Sequence, residues 1–474
     1  MTSRIERDSL GEMEVPADAL YGAQTARALR NFPVSGLKPH PLFVWATVAI
    51  KKAAATVNRQ LGQIDPRIAD AIVAAADEVL NGRHADQFVV DVFQAGAGTS
   101  HNMNVNEVLA SRAAEILGGQ RGDRRLVHPN DHVNRGQSTN DVIPTAMRLC
   151  SLRQVRDLDE AVAGLEAAFQ AKATEFHGVL KSGRTHLQDA VPMRLGSEFG
   201  AWARSLACCR ARLHDAFDDL CELGIGGNAI GSGVNTPAGF AEHMAAALRE
   251  QTGLPVRPGV DLYERCQSTA DFAQLSASLR TLAIELNRIS SDIRLLASGP
   301  ATGLGEILLP PVQPGSSIMP GKVNPVMAEM LGMVCFHVIG ADTCVAMASQ
   351  AGQLELNVMM PVMAHNLNTS LTVLTNGVRL FTERCVLLFW QQELPDGSTV
   401  QRHGIAADEA ACARFLERST GLATLLNPAI GYDAAAEVMK QARREGRTVR
   451  EVVVRRGLMS SEEFDALIQR AVER

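Results

Sequence analysis

From Phe272 the apolar residues Leu275, Leu279, Leu282, Leu286, Ile289, Ile293 and Leu296 follow one another at alternating intervals of three and four. That spacing keeps one stripe on one side of an α-helix for its whole length, and neither a strand nor a loop can present it. Similar seams run from Val155 through Leu158, Val162, Leu165 and Phe169 to Phe176, and from Phe199 through Trp202, Leu206, Cys209, Leu213 and Phe217 to Leu220. Two further apolar stretches, about 326–348 and 363–385, are helix-compatible. Five long helices predict a bundle. At about 1.5 Å per residue, a helix of roughly 25 residues is on the order of 38 Å long, so its inter-helix turns gather at two distant ends. The 272–296 segment also carries Ala273, Ala277, Ala283, Ile284 and Leu295 off its seam, so more than one face is apolar. Such a surface predicts association into an oligomer.

The expected class is all-α, with a mainly helical subunit of three domains: 1–137, 138–393 for the long-helix bundle, and 394–474 as a small helical cap. Polar and glycine-containing breaks interrupt the first domain around 33–41 and 94–100, and Pro395, Asp396 and Gly397 signal a turn between the second and the third. Aromatic residues make up only 4% of the 474, which favours helices over sheets.

A net charge of −6 with no compensating Lys/Arg run excludes a field suited to a nucleic-acid backbone. The charged stretch 1–8 lacks the apolar core of a signal peptide, and no run of about 20 uninterrupted apolar residues is present to span a bilayer. A cytoplasmic protein with no membrane partner is expected. Nine cysteines are scattered without a Cys-x-x-Cys pair or a matching His cluster, which predicts reduced, buried thiols and no zinc site.

Four segments break the helices with clustered hydroxyl, amide and glycine residues: 96–106, 134–141, 183–189 and 315–325. Any one alone reads as a cap or a turn, because caps and turns favour these residue types. Nucleotide readings fail on spacing. The loop at 315–323 has five residues between its glycines where a P-loop has four, and Val323 stands where Ser or Thr would hold magnesium. Gly224-Ile-Gly-Gly-Asn-Ala229 fits the loose dinucleotide pattern but follows a helical segment with no βαβ unit, so a tight inter-helix turn is the better expectation.

Gly315-Ser-Ser-Ile-Met-Pro-Gly-Lys-Val-Asn-Pro325 resembles the signature loop of the fumarase/aspartase superfamily. Asn130-Asp-His-Val-Asn134 leading into Gln137-Ser-Thr-Asn-Asp141, Gly183-Arg-Thr-His-Leu-Gln-Asp189 and Gly352-Gln-Leu-Glu-Leu-Asn-Val358 resemble the other family blocks, in order. The resemblance runs from Val15 to Val453. It implies a homotetramer with a central core of twenty helices, five per subunit, and active sites each assembled from three subunits.

The reaction it implies is anti elimination across a succinyl skeleton to give fumarate, by way of a doubly charged enediolate, with no metal or organic cofactor. By resemblance Ser316 is the base, assisted by the Gly315 loop amides and the charge of Lys322; an unperturbed hydroxyl is too weak an acid to act unaided. Thr99, Ser138, Thr139 and Ser317 match positions that hold the carboxylate where charge develops. Thr185, His186, Lys322 and Asn324 match those gripping the other carboxylate, and Asn140 the one contacting the leaving group. Glu329 matches the residue that pairs with His186 in fumarases to activate water. Thr139 within Gln137–Asn140 and Gly98-Thr-Ser100 resemble ammonia-lyases, so L-aspartate is expected as the small dicarboxylate substrate, with malate or a substituted aspartate as the alternatives. Met360, His101 and a long 387–403 linker depart from the ammonia-lyase pattern. A non-catalytic bundle, known elsewhere in the superfamily, would be free to lose Ser316, Lys322, Asn324, Thr185 and His186; all five are present.

Overall fold

The computed structural model describes residues 2–394 and 396–473, so Pro395 of the expected turn lies outside the described residues. All five expected long helices form: α5 (Thr139–Glu175), α6 (Leu195–Leu220), α9 (Ala270–Leu296), α10 (Val326–Gln350) and α11 (Met360–Phe381). Every seam residue of α9 from Phe272 to Leu296 is buried, whereas Ile284 and Leu295 off the seam are exposed. The chain divides into two compact units, 1–159 with 211–283 and 336–375, and 160–210 with 284–335 and 376–474; each long helix contributes a segment to both.

The first unit opens with a hairpin of β1 (Ser3–Asp8) and β2 (Gly11–Pro16), strands that depart from the mainly helical domain expected at 1–137. Helices α1 (Ala23–Asn31), α2 (Pro41–Gln60), α3 (Pro66–Leu80) and α4 (Thr99–Ile116) follow. Two of them start by the same device. Proline occupies the first helical position, where no N–H is needed, and the residue before it caps: His40 Nδ1 accepts from Leu42 N and an Asp65 carboxylate oxygen from Arg67 N. Val48, Ile72, Val105, Val108 and Leu109 form the core between these helices. Further on, α7 (Phe240–Thr252), α8 (Leu262–Gln267) and the two-residue pairing of β5 (Glu222–Leu223) with β6 (Arg257–Pro258) complete the unit. Within it, α5 meets α9 through a buried Arg148–Asp271 ion pair at 2.8 Å, and α11 through Gln154 Nε2, which donates to Asn368 O and Thr372 Oγ1.

In the second unit β3 (Leu180–Thr185) and β4 (Gln188–Arg194) form a hairpin, and Phe169, Phe176, Phe199 and Trp202 pack edge-on or tilted between α5 and α6. A short β7 (Ile307–Leu308) pairs with β10 (Ala406–Ala407). The expected loop after the bundle is instead a second hairpin, β8 (Phe389–Glu393) with β9 (Thr399–His403), with alternating exposure along both strands and Phe389 stacked on His403. Helices α12 (Glu409–Arg418), α13 (Asn427–Ile430), α14 (Tyr432–Glu445), α15 (Val449–Arg455) and α16 (Ser461–Val472) close around Leu422, Val438, Val453 and Phe464. Capping boxes at Thr448/Glu451 and Ser460/Glu463 start the last two.

Helix α10 is long and apolar enough to cross a membrane by composition, with a mean hydropathy of 1.7 over its most apolar window. Glu329 and Asp342 interrupt it, and Asp342 pairs with Arg280 of α9 at 2.9 Å. Met333, Phe336 and Met347 stand more than 60% exposed along its length.

Candidate active site

Two helix N-termini in the first unit carry four of the expected residues. The turn 96–98 places Ala97 and Gly98 at φ 61° and 85°, pinned by Ala97 N donating to Val358 O at 2.8 Å. A Cβ at Gly98 would stand 3.1 Å from the Ile143 side chain, so glycine is favoured there both by φ and by the tight approach. The turn launches α4 with Thr99 exposed at its first position, where the unpaired N–H groups and the helix dipole favour an anion. Helix α5 starts with Ser138 Oγ accepting from Asn140 N, while Asp141 Oδ1 accepts from Ser138 N. The bland reading of this motif as a cap is therefore part of the truth.

Asp141 does more than cap. Its other oxygen accepts from Gly226 N and Asn228 N, and Asn140 Nδ2 donates to Ala229 O at 2.8 Å. Gly224–Ala229 is thus a turn that braces the start of α5, as its sequence context implied. Burial pushes the Asp141 carboxyl up to about 6, against the hydrogen bonds that pull it down. Asn102 of α4 donates to Thr139 Oγ1 at 3.2 Å, bringing the two helix starts together. Thr99, Ser138, Thr139 and Asn140 therefore share one polar corner.

The remaining expected residues belong to the second unit. Thr185 pairs with Gln188, leaving His186 and Leu187 as a two-residue turn with φ 55° and 59°, both on the left-handed side normally left to Asn and Gly. Below the tip, Arg184 makes a forked pair with buried Glu306 at 2.8 and 3.0 Å, and Lys181 bridges Glu306 and Glu198 at 2.9 Å each. This ionic base holds the hairpin while its tip projects.

The signature loop closes on itself. Gly315 N donates to Lys322 O at 2.8 Å, Asn324 Nδ2 donates to Gly315 O at 2.7 Å, and a Cβ on Gly315 would fall 2.4 Å from Lys322 O. Ser316 Oγ accepts from the amides of Ile318 and Met319 at 3.2 and 3.0 Å. Both donors are amides of the Gly315 loop, whereas the amide of Gly315 itself is spent closing the loop. Ser317 and Lys322 are exposed, and Lys322 makes no ion pair among the described residues. No hydrogen bond or ion pair joins this loop to the hairpin tip within one chain among the described residues. Likewise His186 does not pair with Glu329 there; Glu329 lies 4.0 Å from Arg294 of α9.

With this geometry in place, the comparisons with known proteins are informative. Residues 11–340 match the family described as Lyase, and residues 422–471 match Fumarase C C-terminus. The chain belongs to the fumarase/aspartase superfamily of lyases. It is 44% identical over 470 residues to a class II fumarate hydratase of Ralstonia nicotianae, covering 99% of this chain and 98% of that one. It is 43% identical over 465 residues to an aspartate ammonia-lyase of Bacillus subtilis, covering 98% and 94%. The crystal structure of a fumarate lyase:delta crystallin from Brucella melitensis bound to cobalt superposes with a TM-score of 0.92 at 45% identity, covering 99% and 98%. Both chemistries stand at similar distance from this superfamily member. Among the described residues, no group of three or more His, Cys, Asp or Glu side chains could hold a metal.

Sequence reasoning missed the polar layer beneath the corner, formed by Lys51, Asn102, Asn106, Asn134 and Gln137, all but Asn134 buried. The available signals were Lys51 and Lys52 inside the otherwise apolar run 48–55 and asparagines at 102, 104 and 106, which a buried helix would otherwise exclude.

Proposed function

We propose that this lyase removes ammonia from L-aspartate, reversibly and in the anti sense, to give fumarate. The observation that carries the choice of leaving group is the setting of Asn140. Its amide nitrogen is tied to Ala229 O, and its Oδ1 is left without a protein donor among the described residues. An ammonium group arrives already protonated and needs acceptors, whereas a departing hydroxyl needs a proton donated to it.

In this reading Ser316 Oγ, supported as an oxyanion by the Ile318 and Met319 amides and by Lys322, takes the proton from the carbon next to one carboxylate. Thr99, Ser138, Thr139 and Ser317 hold the enediolate that forms, each well-placed donor contributing about 3 kcal/mol to the transition state. Thr185, His186, Lys322 and Asn324 grip the second carboxylate. The exposed loop and hairpin tip, unjoined within one chain, and the apolar surface of α10 support a homotetramer of three-domain subunits (1–137, 138–393, 394–474) with a twenty-helix core and sites shared among copies. No cofactor is invoked.

The second reading is hydration of fumarate to malate, favoured by the equally close hydratase relatives. Purified protein mixed separately with L-aspartate and L-malate, followed by the ultraviolet absorbance of fumarate and by ammonia release, separates the two. Fumarate with ammonia from aspartate alone is expected. Fumarate from malate alone overturns the proposal, and silence with both directs attention to a substituted aspartate.

A further inference from the structure

Lys51 is fully buried in the middle of α2, yet it makes no ion pair among the described residues. Its Nζ donates to two amide oxygens, Asn134 Oδ1 at 2.8 Å and Gln137 Oε1 at 3.0 Å. An ammonium group can only donate, so the atoms facing it must be the oxygens of both amides, and the usual ambiguity between amide oxygen and nitrogen disappears. Gln137 agrees, because its nitrogen then donates to the carbonyls of Val133 and Arg135. So does Asn134, whose nitrogen donates to Gln137 O at 3.0 Å.

The same logic propagates outward. Since Asn134 Oδ1 is an acceptor, the Asn102 atom 3.3 Å from it must be nitrogen, and the Asn106 atom at 3.2 Å likewise. Asn102 Nδ2 also lies 3.2 Å from Thr139 Oγ1, so its second hydrogen goes to that hydroxyl. Thr139 Oγ1 is thereby an acceptor on its inner side, and its own proton is left to point away from Asn102. From this chain of donors we infer that Lys51 is a positioning residue: through Asn134 and Asn102 it fixes the Thr139 hydroxyl as a hydrogen-bond donor to the substrate carboxylate.

Holding a cation here is costly. Burial pulls the Lys51 ammonium down to about 7, only partly countered by the Asp141 carboxylate at the start of α5. A methionine would fill the same space at no such cost, so a lysine at this place points to a task beyond packing. The inference rests on the reading of Thr139 as a ligand of the developing dianion, and it goes further in naming what sets the direction of that hydrogen bond.

The test is a double-mutant cycle on kcat/KM with Lys51→Met, Thr139→Val and the double variant, in the assembled enzyme with whichever substrate it turns over. Lys51→Met is expected to lower kcat/KM about tenfold, chiefly through kcat, in the parent, and less than about twofold where Thr139 is already valine, because the two changes remove one interaction. An equal loss in both backgrounds, or no loss in the parent, overturns the role of Lys51. Thr139→Val without effect on turnover overturns instead the site reading beneath it. Circular dichroism and native mass confirm that each variant is folded and assembled. If Lys51→Met fails that check, Asn102→Ala takes its place in the same cycle and is held to the same two outcomes.

Discussion

Replacing Leu187 by glycine should steady the hairpin tip that carries Thr185 and His186. Leu187 sits at φ 59° and is 69% exposed, so its side chain adds little burial within the chain while its Cβ opposes the left-handed backbone. That conformation costs a non-glycine residue about 1–2 kcal/mol. Glycine removes this cost but gives back about 0.4–1 kcal/mol through the greater freedom of the unfolded chain. The net gain is about 0.5–1 kcal/mol in local opening free energy, or roughly a two- to fivefold slowing of amide exchange. Hydrogen–deuterium exchange of a peptide covering 180–194 reads this directly. Leu187→Ala is the control: it removes the same side chain but keeps the Cβ, so it gains nothing from relief of strain, and any contact Leu187 makes with another copy is lost equally in both variants. Exchange in the glycine variant as fast as in the alanine variant would refute the strain argument.

Ser316→Ala should lower turnover by about three orders of magnitude or more while leaving the affinity for succinate within a few-fold, measured by steady-state kinetics and calorimetry; undiminished turnover sinks the base assignment. Asp271→Ala should destabilise the first unit by about 3–5 kcal/mol, because it leaves the buried Arg148 guanidinium with the Phe272 ring at 5.0 Å and no carboxylate among the described residues. It also removes a longer contact to Arg265 at 3.5 Å. A urea midpoint shift reads this loss, and restoration by the Arg148→Met/Asp271→Leu pair would tie it to the stranded charge. The Arg112 guanidinium, helped by His84, holds the Glu78 carboxyl down at about 2. Its stabilising contribution is therefore complete above about pH 4.5 and is lost as pH falls towards 2. Glu78→Gln should flatten that part of the acid-unfolding curve followed by circular dichroism, and an unchanged slope there would show that the pair is not linked to folding.

The long helices were readable because each seam repeats one local rule for six or seven turns, so that α9 begins and ends within two residues of the stripe from Phe272 to Leu296. The small strands were not. Between Ser3 and Pro16 only Glu6, Met13 and Val15 are buried, and the alternation Glu12-Met13-Glu14-Val15 is too short to mark a strand by itself. The site motifs could be read for a related reason. Ser138–Asp141 and Gly315–Asn324 each close a turn through hydrogen bonds within ten residues, even though Asn140 and Asp141 also reach Gly226, Asn228 and Ala229. The bond from Lys51 to Asn134 spans 83 residues, and nothing in either neighbourhood names the other.

Two of the three expected departures from the ammonia-lyase pattern, His101 and Met360, lie inside the first unit. His101 is fully buried, stacked on Phe43 with 4.5 Å between ring centres, and its Nε2 lies 3.0 Å from Thr47 Oγ1. Thr47 spends its own proton on Phe43 O, so His101 must donate from Nε2, and burial holds the ring neutral by drawing its pKa down to about 3. Met360 is 1% exposed at the start of α11, where a glutamate would be a charge withdrawn from water and in need of a partner. Each is a neutral side chain that packs in the interior. In the proposed reading neither side chain meets the leaving group, so the choice between ammonia and water rests there on Asn140, whose Oδ1 is left to accept.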